Sequence, residues 1–150
     1  MNALLLKEID SLQGDINKLR PFTSKNLKLL KDYFKVGLTY SSNALEGNSL
    51  TESETKIVLE EGITVAGKPL KDHYEAIGHG AAFDKIFDVY KNKAISEPLI
   101  KSLHLLFYNR IDTEKAGVYR KIKVVITGSQ YPVPAPEKLP RLMKAFVRRR

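Results

Sequence analysis

Five apolar residues near the N-terminus, Leu5, Ile9, Leu12, Ile16 and Leu19, recur at steps of four, three, four and three. That spacing puts them on one narrow stripe of a helix from about Asn2 to Leu19. Pro21 ends the helix, since it has no amide to continue the ladder. A second helix is expected from Ser24, its cap, to about Leu45, with Leu27, Leu30, Phe34 and Leu38 as its buried stripe. The two are expected to pack as an antiparallel helical hairpin over the short Pro21-Phe22-Thr23 link. Contact between two chains through the first stripe is the alternative, which leaves a homo-oligomer open.

Helical punctuation continues down the chain. Ser49 with Glu52, and Thr51 with Glu54, form overlapping capping boxes that open a third helix to about Glu61, closed by Gly62. A fourth runs from about Lys71 to Lys91, with Tyr74, Ile77, Ala81, Ile86 and Val89 apolar and Gly78 and Gly80 as local weak points. Ser96 and Pro98 start a fifth, to about Asn109, with Leu99, Leu103, Leu106 and Phe107 facing a core. From Arg120 to Thr127 the period changes. Ile122, Val124 and Ile126 alternate with Lys121, Lys123 and Val125, the pattern of a strand. After a turn at Thr127-Gly128-Ser129-Gln130, the return arm carries Pro132, Pro134 and Pro136. It can form only a loose or edge strand, because proline cannot donate to a ladder. Residues 136–150 read as a sixth helix with Leu139, Leu142, Met143 and Phe146 inward.

Composition narrows the classes. A chain of 150 residues suits one core, and its apolar share of 43% is that of a globular protein. The absence of cysteine excludes a disulfide framework and a thiolate zinc site, and agrees with a cytoplasmic location. No apolar run approaches the roughly 20 residues needed to span a bilayer, so no membrane contact is expected. The start has neither the apolar length nor the basic leader of a signal peptide. Residues 1–119 hold 16 Lys/Arg and 16 Asp/Glu, while residues 120–150 hold nine basic residues and one acid, Glu137. The whole net charge of +8 therefore sits in the last fifth. Such a terminus can bind nucleic acid or an acidic partner, or be half of an element whose acidic half lies elsewhere.

The histidines offer little chemistry of their own. His73 and His79 fall on different helix faces, and Glu75 and His79, four apart, are expected as a surface pair rather than a metal site. His104, on an otherwise apolar helix, is expected to be a hydrogen-bonded core residue. Neither Gly-rich phosphate cradle occurs.

The most pointed stretch is Ser41-Ser42-Asn43-Ala44-Leu45-Glu46-Gly47-Asn48. Ser42 and Glu46 are one turn apart on a face that Gly47 ends. A glutamate in the last turn faces the negative end of the helix dipole, at a cost of roughly 0.3–1 kcal/mol. Such a carboxylate is either a solvated residue at a frayed end or one with a task.

This stretch resembles the inhibitory motif of the Fic family (filamentation induced by cyclic AMP), Ser/Thr-x-x-x-Glu-Gly/Asn. Other segments resemble the family in the same order: Thr51-Glu52-Ser53-Glu54-Thr55, Asp72-His73-Tyr74-Glu75-Ala76, Leu103-His104-Leu105-Leu106, Gly117-Val118-Tyr119-Arg120 and Val124-Val125-Ile126-Thr127-Gly128. The likeness begins near Lys28. It implies a mainly α protein, a Fic-like helical bundle with one β-hairpin, the flap. It also implies the type with an N-terminal inhibitory helix, in residues 1–65, followed by the first part of the core in residues 66–150.

The resemblance implies roles as well. Ser42, Glu46 and Gly47 would form the inhibitory element, with Glu46 pairing an Arg of the catalytic motif that otherwise takes the ATP γ-phosphate. Lys121, Ile122, Lys123, Val124, Val125, Ile126 and Thr127 would bind a protein target by strand addition. Intact members use ATP and magnesium to transfer AMP to protein hydroxyls. Their catalytic motif, His-Pro-Phe-x-x-Gly-Asn-Gly-Arg, does not occur here, since neither His73, His79 nor His104 precedes Pro-Phe. The expectation is therefore a chain cut before its catalytic loop, without catalytic residues or a metal site. It should bind neither ATP nor magnesium tightly and should be inactive alone. The alternatives are a non-catalytic regulatory or protein-binding module and a binder of nucleic acid through the basic end, the latter less favoured.

Overall fold

The computed structural model describes residues 3–90 and 95–148. They fall into two units, Met1–Phe34 and Lys35–Arg150. In the first, α1 spans Ala3–Lys18 and α2 begins at Ser24, continuing to Leu45 in the second. Thr23, not Ser24, caps α2, its hydroxyl accepting from the Asn26 amide at 3.2 Å. The α1 stripe is exposed, Leu5 to 52% and Leu12 to 57%, and so are Leu27 and Leu30 of α2. The expected hairpin with buried stripes is therefore not formed. Periodicity marks a face that can be covered and does not supply the cover.

In the second unit α2 buries Val36, Thr39 and Asn43, and not Leu38 of the expected stripe. The capping box of α3 (Glu52–Glu60) is formed by Thr51. Its hydroxyl accepts from the Glu54 amide, and the Glu54 carboxylate accepts from the Thr51 amide at 2.7 Å. Gly62 ends this region at φ 66°, in the left-handed region. A small apolar core of Leu50, Val58 and Ala76 follows, with Val65 and Ile77 against it.

Helix α4 (Leu70–Val89) packs on α3 and on α5 (Glu97–Tyr108). Gly78 is what lets α4 approach α5. A Cβ there would fall on the Phe107 carbonyl and lie 2.9 Å from the Phe107 Cα. Gly78, which weakens α4 in isolation, thus permits its packing on α5, a trade made by tertiary contact. The end expected near Lys91 lies outside the described residues. Ser96 caps α5, accepting from the Leu99 amide at 3.3 Å. A 3-10 turn at Pro136–Lys138 leads into α6 (Leu139–Arg148), which packs on α5. Its expected inward residues Leu142 and Phe146 remain exposed.

The mainly α reading holds, but the β-hairpin does not form. Among the described residues there is no strand. The turn is where the sequence puts it: Gly128 has φ 79° and the Ser129 amide bonds the Ile126 carbonyl at 3.1 Å. The ladder fails because Pro132 and Pro134 on the return arm offer no amide. Residues 121–127 are left unpaired as strand, with Val125 89% exposed. No described helix is long and apolar enough to cross a membrane.

Candidate functional site

The end of α2 is a Schellman turn. The Gly47 amide bonds the Ala44 carbonyl at 3.1 Å and the Asn48 amide bonds the Asn43 carbonyl at 3.0 Å. Gly47 takes φ 89°, which any other residue would adopt only under strain. Glu46, the C-cap residue, is exposed, while Ser42 one turn back is half-buried. The last turn of α2 has no basic residue. Glu46 forms no ion pair or side-chain hydrogen bond among the described residues. The structure thus brings Ser42, Glu46 and Gly47 to one helix end with a free carboxylate.

The chain leaving Gly47 is tied to α4. Asn48 donates its side-chain amide to the Asp72 carbonyl at 3.0 Å and to a Glu75 carboxylate oxygen at 2.9 Å. The Asn48 side-chain oxygen, Oδ1, accepts from the Leu50 amide. Ser49 donates both its amide, at 2.8 Å, and its hydroxyl, at 2.6 Å, to the same oxygen of Asp72. Burial works against the Asp72 carboxylate, but the two Ser49 donors outweigh it and hold the group below the ordinary aspartate range. Lys68 reaches the Ser49 carbonyl and pairs with Glu54 at 3.3 Å; Lys71 pairs with Glu75.

The histidines are structural links. His73, 3% exposed, donates from Nδ1 to the Pro69 carbonyl and accepts the Val65 amide at Nε2, which fixes one neutral tautomer. His79 Nδ1 bonds Thr39, so the expected Glu75–His79 surface pair does not form. His104 accepts the Gly117 amide at 2.8 Å and stacks on Tyr108, but it is exposed rather than in a core.

Arg120 replaces the missing ladder. Its guanidinium donates to the Ile122 carbonyl at 3.0 Å and to the Pro134 carbonyl, joining the two arms of the 121–135 loop at their base. Lys121, Ile122, Lys123, Val124, Val125, Ile126 and Thr127 therefore lie on one arm of a side-chain-clamped loop. No structure brings them into a ladder of their own.

Among the described residues no three His, Asp or Glu side chains cluster as a metal site would require. Asn48, Ser49, Asp72 and Glu75 were not legible as a unit. Asn48 and Ser49 lie more than 20 positions from Asp72 and Glu75, and the local signal of the first pair was a polar dipeptide directly after a helix-ending glycine.

No family model matches the chain. Curated relatives do. It is 33% identical over 109 residues to Protein adenylyltransferase Fic of Nematostella vectensis, covering 71% of this chain and 25% of that one. It is 29% identical over 146 residues to Protein adenylyltransferase fic-1 of Caenorhabditis elegans, covering 95% and 28%. The chain thus spans about a quarter of the length of these relatives. Among solved structures it resembles a Fic domain containing signalling protein from Bacteroides thetaiotaomicron, with a TM-score of 0.79 and 31% identity, over 93% of this chain and 54% of that one. It also resembles Fic-1 of C. elegans, with a TM-score of 0.71 and 26% identity, over 97% and 45%.

Proposed function

Because the chain belongs to the Fic family, we propose that it carries the regulatory helix end and the target-docking loop of a Fic-type protein adenylyltransferase. In this reading Glu46 restrains transfer of AMP from ATP to protein hydroxyls. Its carboxylate would pair with the arginine of a catalytic motif, withdraw that cation from the γ-phosphate, and repel the phosphate itself. The half-buried Ser42 sits one turn behind to orient it. Residues 121–127 would take an extended target segment along a backbone that no neighbouring strand pairs. The 150 residues here hold no His-Pro-Phe motif and hence no general base of the family kind.

The observation that carries the reading is Glu46 itself. A solvent-facing carboxylate stands without a hydrogen-bond or ion-pair partner among the described residues at the negative end of α2, on a turn whose Glu46, Gly47 and Asn48 amides are all bonded. The test is labelling with ATP carrying a radioactive α-phosphate. The purified chain should transfer no label to itself or to lysate proteins. The same chain joined after Arg150 to a segment bearing His-Pro-Phe-x-x-Gly-Asn-Gly-Arg should do so. Labelling by the 150 residues alone would contradict the division of roles.

A second reading keeps the same residues and drops the covalent joining. The Schellman turn forms within this chain's own bonds, so it could be presented in trans to a separate catalytic protein as a non-catalytic regulatory module. Inhibition of an active Fic enzyme by the added chain, lost in Glu46→Gly, would distinguish it.

A further inference from the structure

We propose that Asp72 is the positioning residue of the regulatory turn: acting through Ser49, it fixes the chain that leaves Gly47 and thereby where Glu46 projects. The inference rests on the regulatory reading of Glu46.

Glu46 forms no ion pair or side-chain hydrogen bond among the described residues. Its place is set chiefly by the backbone that bears it, and a helix end frays unless the chain beyond it is held. Two residues beyond Gly47 the chain meets α4. There, Asp72 is 8% exposed and takes two donors from one residue onto one oxygen. A charge-assisted pair of this kind is about twice as strong as neutral hydrogen bonds. Its geometry also fixes the Ser49 backbone and side chain together. The neighbouring Asn48 contacts share their acceptors differently, since Glu75 also pairs with exposed Lys71. Beyond Ser49, Leu50 is 4% exposed in the core, so the chain cannot slide.

The base of the clamp is itself fixed. Asp72 lies in the first turn of α4, and the close Gly78–Phe107 approach seats that helix on α5. The turn bearing Glu46 is thus registered to the α4–α5 pair through the buried Asp72 carboxylate, with the Asn48 contacts to the Asp72 carbonyl and Glu75 beside it. Without that carboxylate, the Ser49 amide and hydroxyl would lose their acceptor, and the chain beyond Gly47 would be held only by the Asn48 side chain, on the Asp72 carbonyl and a Glu75 shared with Lys71, and by Lys68 at the Ser49 carbonyl.

Amide hydrogen exchange on the full 150-residue chain, resolved by NMR, tests this. In Ser49→Ala, which leaves α4 unaltered, the Gly47 and Asn48 amides should exchange at least tenfold faster. The α5 amides from Leu103 to Phe107 should keep their rates. Ser49→Thr keeps the hydroxyl and should restore the slow exchange. Asp72→Ala should match or exceed Ser49→Ala at the same two amides. Unchanged Gly47 and Asn48 exchange in Ser49→Ala would overturn the proposal. So would acceleration spread evenly into α5, which would make the contact a general stabiliser. The Ser49 pair decides the matter even if Asp72→Ala does not fold. The readout uses no nucleotide, so its failure is separate from a failure of the Glu46 reading.

Discussion

Thr39 Oγ1 lies 2.9 Å from His79 Nδ1, and Thr39 is wholly buried. The bond joins the second half of α2, which ends in the Glu46–Gly47 turn, to the middle of α4. Lys35 and Asp84 pair beside it at 2.6 Å.

Burial lowers the His79 pKa, since the charged imidazolium is disfavoured there. The unfolded chain then binds its proton first on acidification. The His79 contribution to stability is complete above about pH 6.5, the ordinary value, and is lost as pH falls from there toward the lowered folded value. Urea unfolding of the chain between pH 8 and pH 5 should show this decline. His79→Gln, which cannot titrate, should flatten it. An equal slope in both proteins would show that His79 does not titrate differently on folding.

Gly78 should tolerate no side chain. In Gly78→Ala the new methyl meets the Phe107 backbone, which cannot turn aside as a flexible side chain would. Overpacking of this kind costs about 1–3 kcal/mol. The effect should appear as a lower urea midpoint at unchanged slope. Gly14→Ala, in α1 with open space around it, should cause no such loss. A Gly78→Ala midpoint equal to that of the unsubstituted chain would mean that α4 and α5 are not in the close approach described.

Arg120 should control the 121–135 loop. Arg120→Ala removes both bonds at the loop base and should speed tryptic cleavage after Lys121 and Lys123 several-fold. Arg120→Lys should not restore protection, because one ammonium lacks the fork that spans two carbonyls. Cleavage rates equal to those of the unsubstituted chain would leave the loop without this clamp.

Local chemistry was well written in the sequence. The span of α2 from Ser24 to Leu45, the Thr51–Glu54 box and the stop at Gly62 all rest on residues within one turn of each other. What depended on distant partners was not. Leu27, Leu30 and Leu38 have the right period for a buried stripe, yet α2 buries the Val36, Thr39 and Asn43 face, because Thr39 finds His79 forty residues away. Alternation across 121–127 predicted a strand, but a strand also needs a partner with free amides, which the prolines deny. At the candidate site, the helix end that brings Ser42, Glu46 and Gly47 together could be read from their spacing and the glycine. The Ser49–Asp72 contact that anchors them could not, since no period connects residues 23 apart.

The most direct measurement compares two proteins, each this chain joined after Arg150 to a segment bearing the catalytic motif, one unaltered and one with Glu46→Gly. Helix propensity and the dipole alone would shift stability by a few tenths to about 1 kcal/mol and leave the rate alone. Release of an arginine to the γ-phosphate should instead raise adenylylation at least tenfold, equivalent to about 1.4 kcal/mol of barrier. A rise of that size with comparable folding is the predicted result. Equal rates in two equally folded proteins would contradict the regulatory role of Glu46.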